Sequence, residues 1–214
     1  HDLISSEVVR GTADGMLSDA AESFISRQIR NAATLGGNLA SGAPSADLPP
    51  ALLALDAVVH IRGAAGDRAV PLAEFFTGPG RTVLEGGLLT RVTLPDPEGR
   101  RGSFLKVGRT AEDVAIVNAG TSLRVEDGRC RDVRIALGAV GETPMRILEA
   151  EALLEGKAPT AALLAEAEGM VRQGVRPVDD HRAGAAYRRK VGGVLARRGL
   201  ETCLRNAGLA PGEG

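Results

Sequence analysis

The sequence predicts an α+β fold in which small antiparallel sheets pack against helices. Three patterns support this class. Residues 57–62 alternate between inward and outward positions, as a half-buried strand does. Asp127-Gly128 separates two further strand-like runs, and this dipeptide favours a hairpin turn whose two central residues have positive φ. After residue 160, apolar residues recur at helical spacing, so the second half reads as a sheet followed by helices.

The composition excludes several classes of protein. The 214 residues are 43% apolar and 25% charged, which suits one large or two small globular domains. With 26 basic and 27 acidic residues, the net charge of −1 argues against nucleic acid or an anionic membrane as the main partner. No apolar run approaches the roughly 20 residues of a membrane span. Cys130 and Cys203 are too few for a disulfide framework or a four-thiolate iron–sulfur cluster, which favours a reducing, cytoplasmic location.

The first half is predicted to contain helices followed by strands. A helix is expected at residues 17–29, capped by Ser18, with Phe24 on its apolar face. A Gly- and Ala-rich loop is expected over residues 31–46. Residues 51–55 form a short buried helix with proline in its first turn. The expected strands are 57–62, 68–72 and 89–94, of which the first two form a hairpin.

The second half is predicted to begin after a segment rich in proline and glycine at residues 95–102, which forbids a continuous element. We therefore expect domains at 1–98 and 99–208. The expected strands are 103–107, 113–125 and 131–137. The helical stripes that follow contain Leu163, Leu164, Ala167, Met170 and Val171, and then Tyr187, Val191, Val194 and Leu195. The solvated or subunit-facing side of the last helix is expected to carry Arg188, Arg189, Lys190, Arg197 and Arg198.

No catalytic residue and no metal site is predicted. The sequence shows no nucleophile with a partner base and no acid–base pair at recognisable spacing. Neither His60 nor His181 has a second His or a Cys at metal-ligand spacing, so both are interpreted as structural or surface residues.

Residues 34–38, Thr-Leu-Gly-Gly-Asn, carry the clearest chemistry. Two adjacent glycines can adopt positive φ and bring bare N–H groups against an anion. Thr34 and Asn38 flank them with side chains that can hydrogen-bond phosphate or sugar. The segment suits a pyrophosphate, and a tight turn without a ligand is the alternative that this local pattern leaves open.

The same segment, with others along the chain, resembles the FAD-binding medium subunit of molybdenum hydroxylases, the family of xanthine dehydrogenase and carbon monoxide dehydrogenase. The matching stretches cover nearly the whole chain in the right order, namely residues 28–38, 45–57, 104–109, 113–120 and 187–191. The resemblance implies a FAD-binding (PCMH-type) α+β subdomain followed by a C-terminal domain with a small antiparallel sheet packed by helices. Family members carry an earlier subdomain with another Gly-Gly motif, and we expect this chain to lack it.

The resemblance also implies which residues bind FAD. The family motif that holds the diphosphate and neighbouring groups is matched by Thr34, Leu35, Gly36, Gly37 and Asn38. Asp47 matches an acidic residue that contacts FAD through hydroxyls. Phe24 matches an aromatic position near the flavin nucleotide. Leu89 and Lys106 match positions that close over FAD from the strand side.

Local alternatives stand beside three of these assignments. Asp47 precedes Leu-Pro-Pro and could cap the following helix, and capping and FAD contact could both hold. Lys106 could be a solvated strand lysine, although lysine is rare in this Arg-dominated chain. Phe24 lies on an apolar stripe and could be a core residue.

The resemblance implies an electron-transfer function. Electrons would leave a substrate on a large molybdopterin subunit, pass through the 2Fe-2S clusters of a small subunit, reach FAD here and go on to NAD or another acceptor. The alternative is a non-catalytic assembly subunit that has lost independent FAD binding. A reductase of the same family that acts on an aromatic thioester ranks low, because it usually carries extra cysteines for another cluster.

Overall fold

The computed structural model describes residues 2–24, 26–95, 98–110 and 112–212. The helices are α1 (Asp2–Ser5), α2 (Glu7–Gly11), α3 (Met16–Glu22), α4 (Arg27–Ala32), α5 (Leu35–Ala40), α6 (Leu48–Ala54), α7 (Leu148–Leu154), α8 (Ala161–Gly174) and α9 (Ala185–Asn206). The strands are β1 (Val58–Gly63), β2 (Gly66–Pro71), β3 (Phe76–Gly78), β4 (Arg81–Thr82), β5 (Leu88–Thr93), β6 (Arg101–Val107), β7 (Val117–Glu126), β8 (Arg129–Gly138) and β9 (Met145–Arg146). The predicted α+β class is confirmed.

The strands form antiparallel sheets in the orders β2-β1-β5, β3-β4 and β6-β7-β8-β9. In the first sheet, Val59 pairs with Val70 on one side and with Val92 on the other. Val59 and Ile61 face the core while His60 faces outward, as the alternation predicts. The predicted hairpin of β1 and β2 is therefore present.

The four-stranded sheet is built around the β7–β8 hairpin. Its turn residues Asp127 and Gly128 have φ of 50° and 72°, as the dipeptide predicts. The expected strand over residues 113–125 begins later, at Val117. The reason is the length of the partner strand, because Val107, the last residue of β6, pairs with Val117.

The last helix packs on this sheet with a face that agrees with the predicted one only in part. Leu195 is buried as predicted, but Tyr187 is 49% exposed, and Gly192 and Gly199 lie against the sheet. A Cβ on Gly199 would lie 2.4 Å from Oγ1 of Thr121. Apolar spacing could not identify this face, because the close approach of helix and sheet requires glycine instead of large apolar side chains.

Arg188 is buried, which corrects its predicted place on the solvated side of α9. It is 3% exposed. Its guanidinium donates to the carbonyl oxygens of Ile116 at 2.7 Å and Ala139 at 3.2 Å, and to the carboxylate of Asp180 at 2.6 Å. Arg188 therefore fastens α9 to the sheet and to the segment that precedes the helix.

The helix expected at residues 17–29 is two helices, α3 and α4. Ser18 does not cap either of them: it lies buried inside α3 and donates to the carbonyl of Ile4 at 3.3 Å. Ser26 caps α4 by accepting from the amide of Ile29 at 3.4 Å. Phe24 lies in the connection between the helices, and Ile25, within the span of the predicted helix, is outside the described residues.

The two halves of the chain share a closely packed boundary. All residues of α6 are buried, and a Cβ on Gly120 in β7 would lie 2.4 Å from the carbonyl oxygen of Pro50. The hydroxyl of Ser122 donates to the carbonyl of Ala54 at 2.6 Å. The division into domains at 1–98 and 99–208 stays a prediction. Among the described residues, no helix combines the length and apolar character needed to cross a membrane.

Candidate cofactor site

The Thr-Leu-Gly-Gly-Asn segment forms the start of α5. Thr34 is the N-cap residue, with φ −121° and ψ 153°, and its Oγ1 accepts from the amide of Gly37 at 2.9 Å. Neither Gly36 nor Gly37 has positive φ. The predicted positive-φ turn, and with it the loop over residues 31–46, is therefore wrong, because a Thr cap stabilises a helix here despite the glycines. The first turn of α5 leaves the amides of Leu35 and Gly36 without intrahelical acceptors.

Neither backbone conformation nor internal packing requires glycine at position 36. A Cβ there would meet only Cδ2 of Leu89, at 3.9 Å, an ordinary contact distance. At Gly37, by contrast, a Cβ would lie 3.0 Å from Thr34 Oγ1 and would disturb the cap. An unfilled position beside free backbone amides fits a site where a group outside the chain approaches the backbone.

A cleft lies beside α5, between α1, the α3–α4 connection and the start of α6. Its lining is mostly apolar, with Leu3, Ile4, Ala21, Phe24, Ala33, Leu35 and Leu48. Its polar lining residues are Arg30, Thr34 and Asn38. An apolar cleft with a few polar groups is the usual form of a small-molecule site.

Asn38 contributes an unsatisfied acceptor. Its Oδ1 is buried and has no hydrogen-bond partner among the described residues. Leaving a buried acceptor unpaired costs about 1–3 kcal/mol. A hydrogen-bond donor on a molecule held in the cleft would remove this cost, so the residues present fit an organic cofactor with N–H or O–H groups.

Asp47 and Lys106 form a buried ion pair next to the cleft. Lys106 Nζ lies 2.8 Å from Asp47 Oδ2, and the side chains are only 8% and 4% exposed. Lys106 also donates to the carbonyl of Ser23 at 2.9 Å, and Asn118 Nδ2 donates to Asp47 Oδ1 at 3.0 Å. Burial raises the pKa of Asp47, and the contacts with Lys106 and Asn118 offset this only in part.

These contacts decide two of the local alternatives. Asp47 makes no side-chain capping bond to α6, and Lys106 is not a solvated strand lysine. The pair joins residues 59 positions apart in the sequence. The pair lies next to the cleft at two points of the chain. Lys106 binds the carbonyl of Ser23, which precedes the lining residue Phe24, and Asp47 precedes the lining residue Leu48.

The structure brings together only some of the residues predicted to bind FAD. Phe24, Thr34, Leu35 and Asn38 line the cleft. The remaining residues lie around it: Gly36 faces Leu89, Gly37 supports the cap of α5, and Asp47 pairs with Lys106. Six other residues line the cleft although the sequence patterns did not assign them to the site, namely Leu3, Ile4, Ala21, Arg30, Ala33 and Leu48. Arg30 stands within the matching stretch, but Leu3 and Ile4 come from a separate segment without a distinctive motif.

The described part of the chain contains no group of three or more His, Cys, Asp or Glu side chains that could hold a metal ion. Cys130 and Cys203 are free and buried, and burial raises their pKa values to about 11 and about 12. Such thiols are poor nucleophiles at neutral pH.

Comparison with known proteins finds two family models along the chain. Residues 1–97 match the FAD binding domain in molybdopterin dehydrogenase, and residues 102–203 match the CO dehydrogenase flavoprotein C-terminal domain. The glyceraldehyde dehydrogenase medium chain of Sulfolobus acidocaldarius is 30% identical over 202 residues, which cover 94% of this chain and 72% of the relative. The carbon monoxide dehydrogenase medium chain of Afipia carboxidovorans is 34% identical over 182 residues, which cover 84% of this chain and 63% of the relative.

Solved structures show the same relationship. A structure of carbon monoxide dehydrogenase from Hydrogenophaga pseudoflava matches with a TM-score of 0.91 and 32% identity, covering 95% of this chain and 71% of that one. Quinoline 2-oxidoreductase from Pseudomonas putida 86 matches with a TM-score of 0.88 and 28% identity, covering 96% and 72%. The resemblance recognised in the sequence, the oxidoreductase class and FAD as the cofactor are thereby confirmed. This chain belongs to the family of FAD-binding medium subunits of molybdenum hydroxylases.

Proposed function

We propose that this chain holds FAD at the cleft beside α5 and passes electrons within a molybdenum hydroxylase complex. The observation that carries the proposal is the buried Oδ1 of Asn38, which has no hydrogen-bond partner in the described part of the chain and lies in the wall of a mostly apolar cleft. FAD has donors that can reach such an acceptor, in its ring, its sugar hydroxyls and its adenine amine. When bound, FAD supplies the electron-accepting and electron-donating chemistry.

The chain's own residues bind FAD and orient it. Phe24 and Leu35 offer apolar surface, and the amides of Leu35 and Gly36 offer donors to an anionic group. Leu89 lies where it can close the outer side of Gly36. We propose from the family motif that Asp47 and Lys106 contact FAD. Lys106 also supports the wall of the cleft, because it donates a hydrogen bond to the carbonyl of Ser23.

The proposed route of electrons depends on other subunits. Several relatives are named medium chains or medium subunits, which implies assembly with further chains. A sequence with two cysteines cannot ligate a four-thiolate cluster, so 2Fe-2S clusters would lie on a small partner subunit and the molybdopterin on a large one. NAD or another acceptor would receive the electrons.

Titration with FAD tests the proposal. The protein should elute together with flavin absorbance, and Gly36→Ala should weaken FAD affinity by about 10-fold or more, as expected when a methyl blocks close approach to the backbone. Gly36→Ala leaves the fold intact, since its Cβ makes an ordinary contact. The matched control is Gly169→Ala, another helical glycine, whose Cβ would meet nothing within 4 Å.

Two results would contradict the proposal. The first is that flavin absorbance never accompanies the wild-type protein, alone or with its partner subunits. The second is that Gly36→Ala and Gly169→Ala bind FAD with equal affinity while both retain the thermal stability of a folded protein.

A further inference from the structure

A cation that has no ion-pair partner among the described residues lies in the wall of the cleft. Arg30 belongs to α4 and is half-buried, and its guanidinium donates to the carbonyl oxygen of Glu22. The Arg30 side chain forms no other hydrogen bond and no ion pair within the described residues. A guanidinium has five N–H donors, so most of those of Arg30 have no acceptor in the described part of the chain. Arg27, one turn earlier on the same helix, is exposed and does not line the cleft.

The surroundings of Arg30 favour an anion. Most of the residues that line the cleft with it are apolar, which weakens the screening of its charge. Thr34 lies in the same lining, and because its Oγ1 already accepts from Gly37, its hydroxyl proton is free to donate outward. Arg30 and Thr34 thus present donors, while Asn38 presents the acceptor. This arrangement fits a ligand that combines an anionic group with a ring system.

We propose that Arg30 binds the diphosphate of FAD and selects the phosphorylated cofactor over an unphosphorylated flavin. The inference rests on the proposed function of the cleft. A guanidinium pairs with phosphate oxygens through two parallel hydrogen bonds, which a lysine cannot reproduce. The contact with Glu22 fixes one edge of the guanidinium and leaves the rest available to the ligand.

The test compares FAD with riboflavin, which lacks phosphate, on wild-type protein and on Arg30→Gln. Loss of one charge-assisted contact predicts that Arg30→Gln binds FAD about 10- to 100-fold more weakly and riboflavin with unchanged affinity. Arg30→Lys should fall between wild type and Arg30→Gln. Raising the NaCl concentration should weaken FAD binding to wild type more than to Arg30→Gln. Arg27→Gln is the matched control and should bind FAD as wild type does.

Each outcome has a distinct meaning. FAD binding that Arg30→Gln leaves unchanged, with the salt dependence of wild type, would overturn the assignment of Arg30 and leave the proposed function intact. An equal loss of FAD and riboflavin affinity in Arg30→Gln would also overturn it, because it would show a purely structural role for the contact with Glu22. Wild-type protein that binds no FAD would remove the proposed function and this inference together.

Discussion

The buried pair of Asp47 and Lys106 offers a quantitative test of how the cleft is supported. The pair is only 4% and 8% exposed, and Lys106 also holds the carbonyl of Ser23. Replacing Lys106 by Met leaves the carboxylate buried with Asn118 as its remaining donor. Breaking one side of such a pair costs about 3–5 kcal/mol of unfolding free energy, because the other charge stays desolvated and unpaired.

The pH dependence of this cost follows from the pKa of Asp47. Burial raises that pKa above its ordinary 3.8, and Lys106 and Asn118 offset the rise only partly. A carboxyl whose folded pKa is raised contributes stability that is present below the unfolded pKa and lost as pH rises through the folded pKa. Removing Lys106 raises the pKa of Asp47 further. Lys106→Met should therefore cost more stability at pH 7 than at pH 4.

Urea unfolding of single and double variants measures both effects. Asp47→Asn with Lys106→Met should cost less than the sum of the two single changes, because no buried charge remains. The control is Arg62→Met in the Arg62–Asp67 pair, which has a similar length of 3.0 Å but side chains 69% and 65% exposed. Because solvent screens both of these charges, Arg62→Met should cost far less stability than Lys106→Met. The reasoning is refuted if Lys106→Met costs no more than Arg62→Met, or if its cost does not depend on pH.

Two further predictions concern the second half of the chain. Gly199→Ala should lower the free energy of unfolding by about 1–3 kcal/mol in thermal or urea unfolding, since its Cβ would collide with Thr121. The control Gly169→Ala should raise it by about 0.5–1 kcal/mol. Equal effects of the two changes would contradict the packing of α9. Burial works against ionisation of Asp180, but hydrogen bonds from the amides of Arg182 and Ala183 and from Arg188 outweigh it and hold its pKa below 3.8. That stability is present above the ordinary pKa and lost as pH falls, so Asp180→Asn should flatten the acid side of the stability profile, and an unchanged acid slope would count against it.

Local signals in the sequence predicted the parts of the fold that depend on neighbours in the chain. The alternation of residues 57–62 and the Asp127-Gly128 turn each determine a short stretch of backbone, and both have the predicted geometry. Helix α5 escaped prediction because glycine lies about 1 kcal/mol below alanine in helix propensity, so composition favoured a loop. The capping position of Thr34 was the signal that could have identified it.

The candidate site also has parts that the sequence could predict and parts that it could not. The motif at residues 34–38 could be found because its members are contiguous. The pairing of Asp47 with Lys106 and the burial of Arg188 could not, because each depends on segments that meet only in the folded chain. Leu3 and Ile4 line the cleft because of how α1 packs, and no periodicity in the sequence predicts that packing.

The close approach of α6 to β7 determines how this protein melts. With the carbonyl of Pro50 set against Gly120, and with Ser122 bonded to Ala54, the stretches matched by separate family models bury each other's backbone. Either stretch alone would expose backbone groups that the other stretch buries. The chain should therefore unfold in one cooperative transition, and a ligand gripped near α5 would raise the melting temperature of the distant four-stranded sheet as much as that of its own helix.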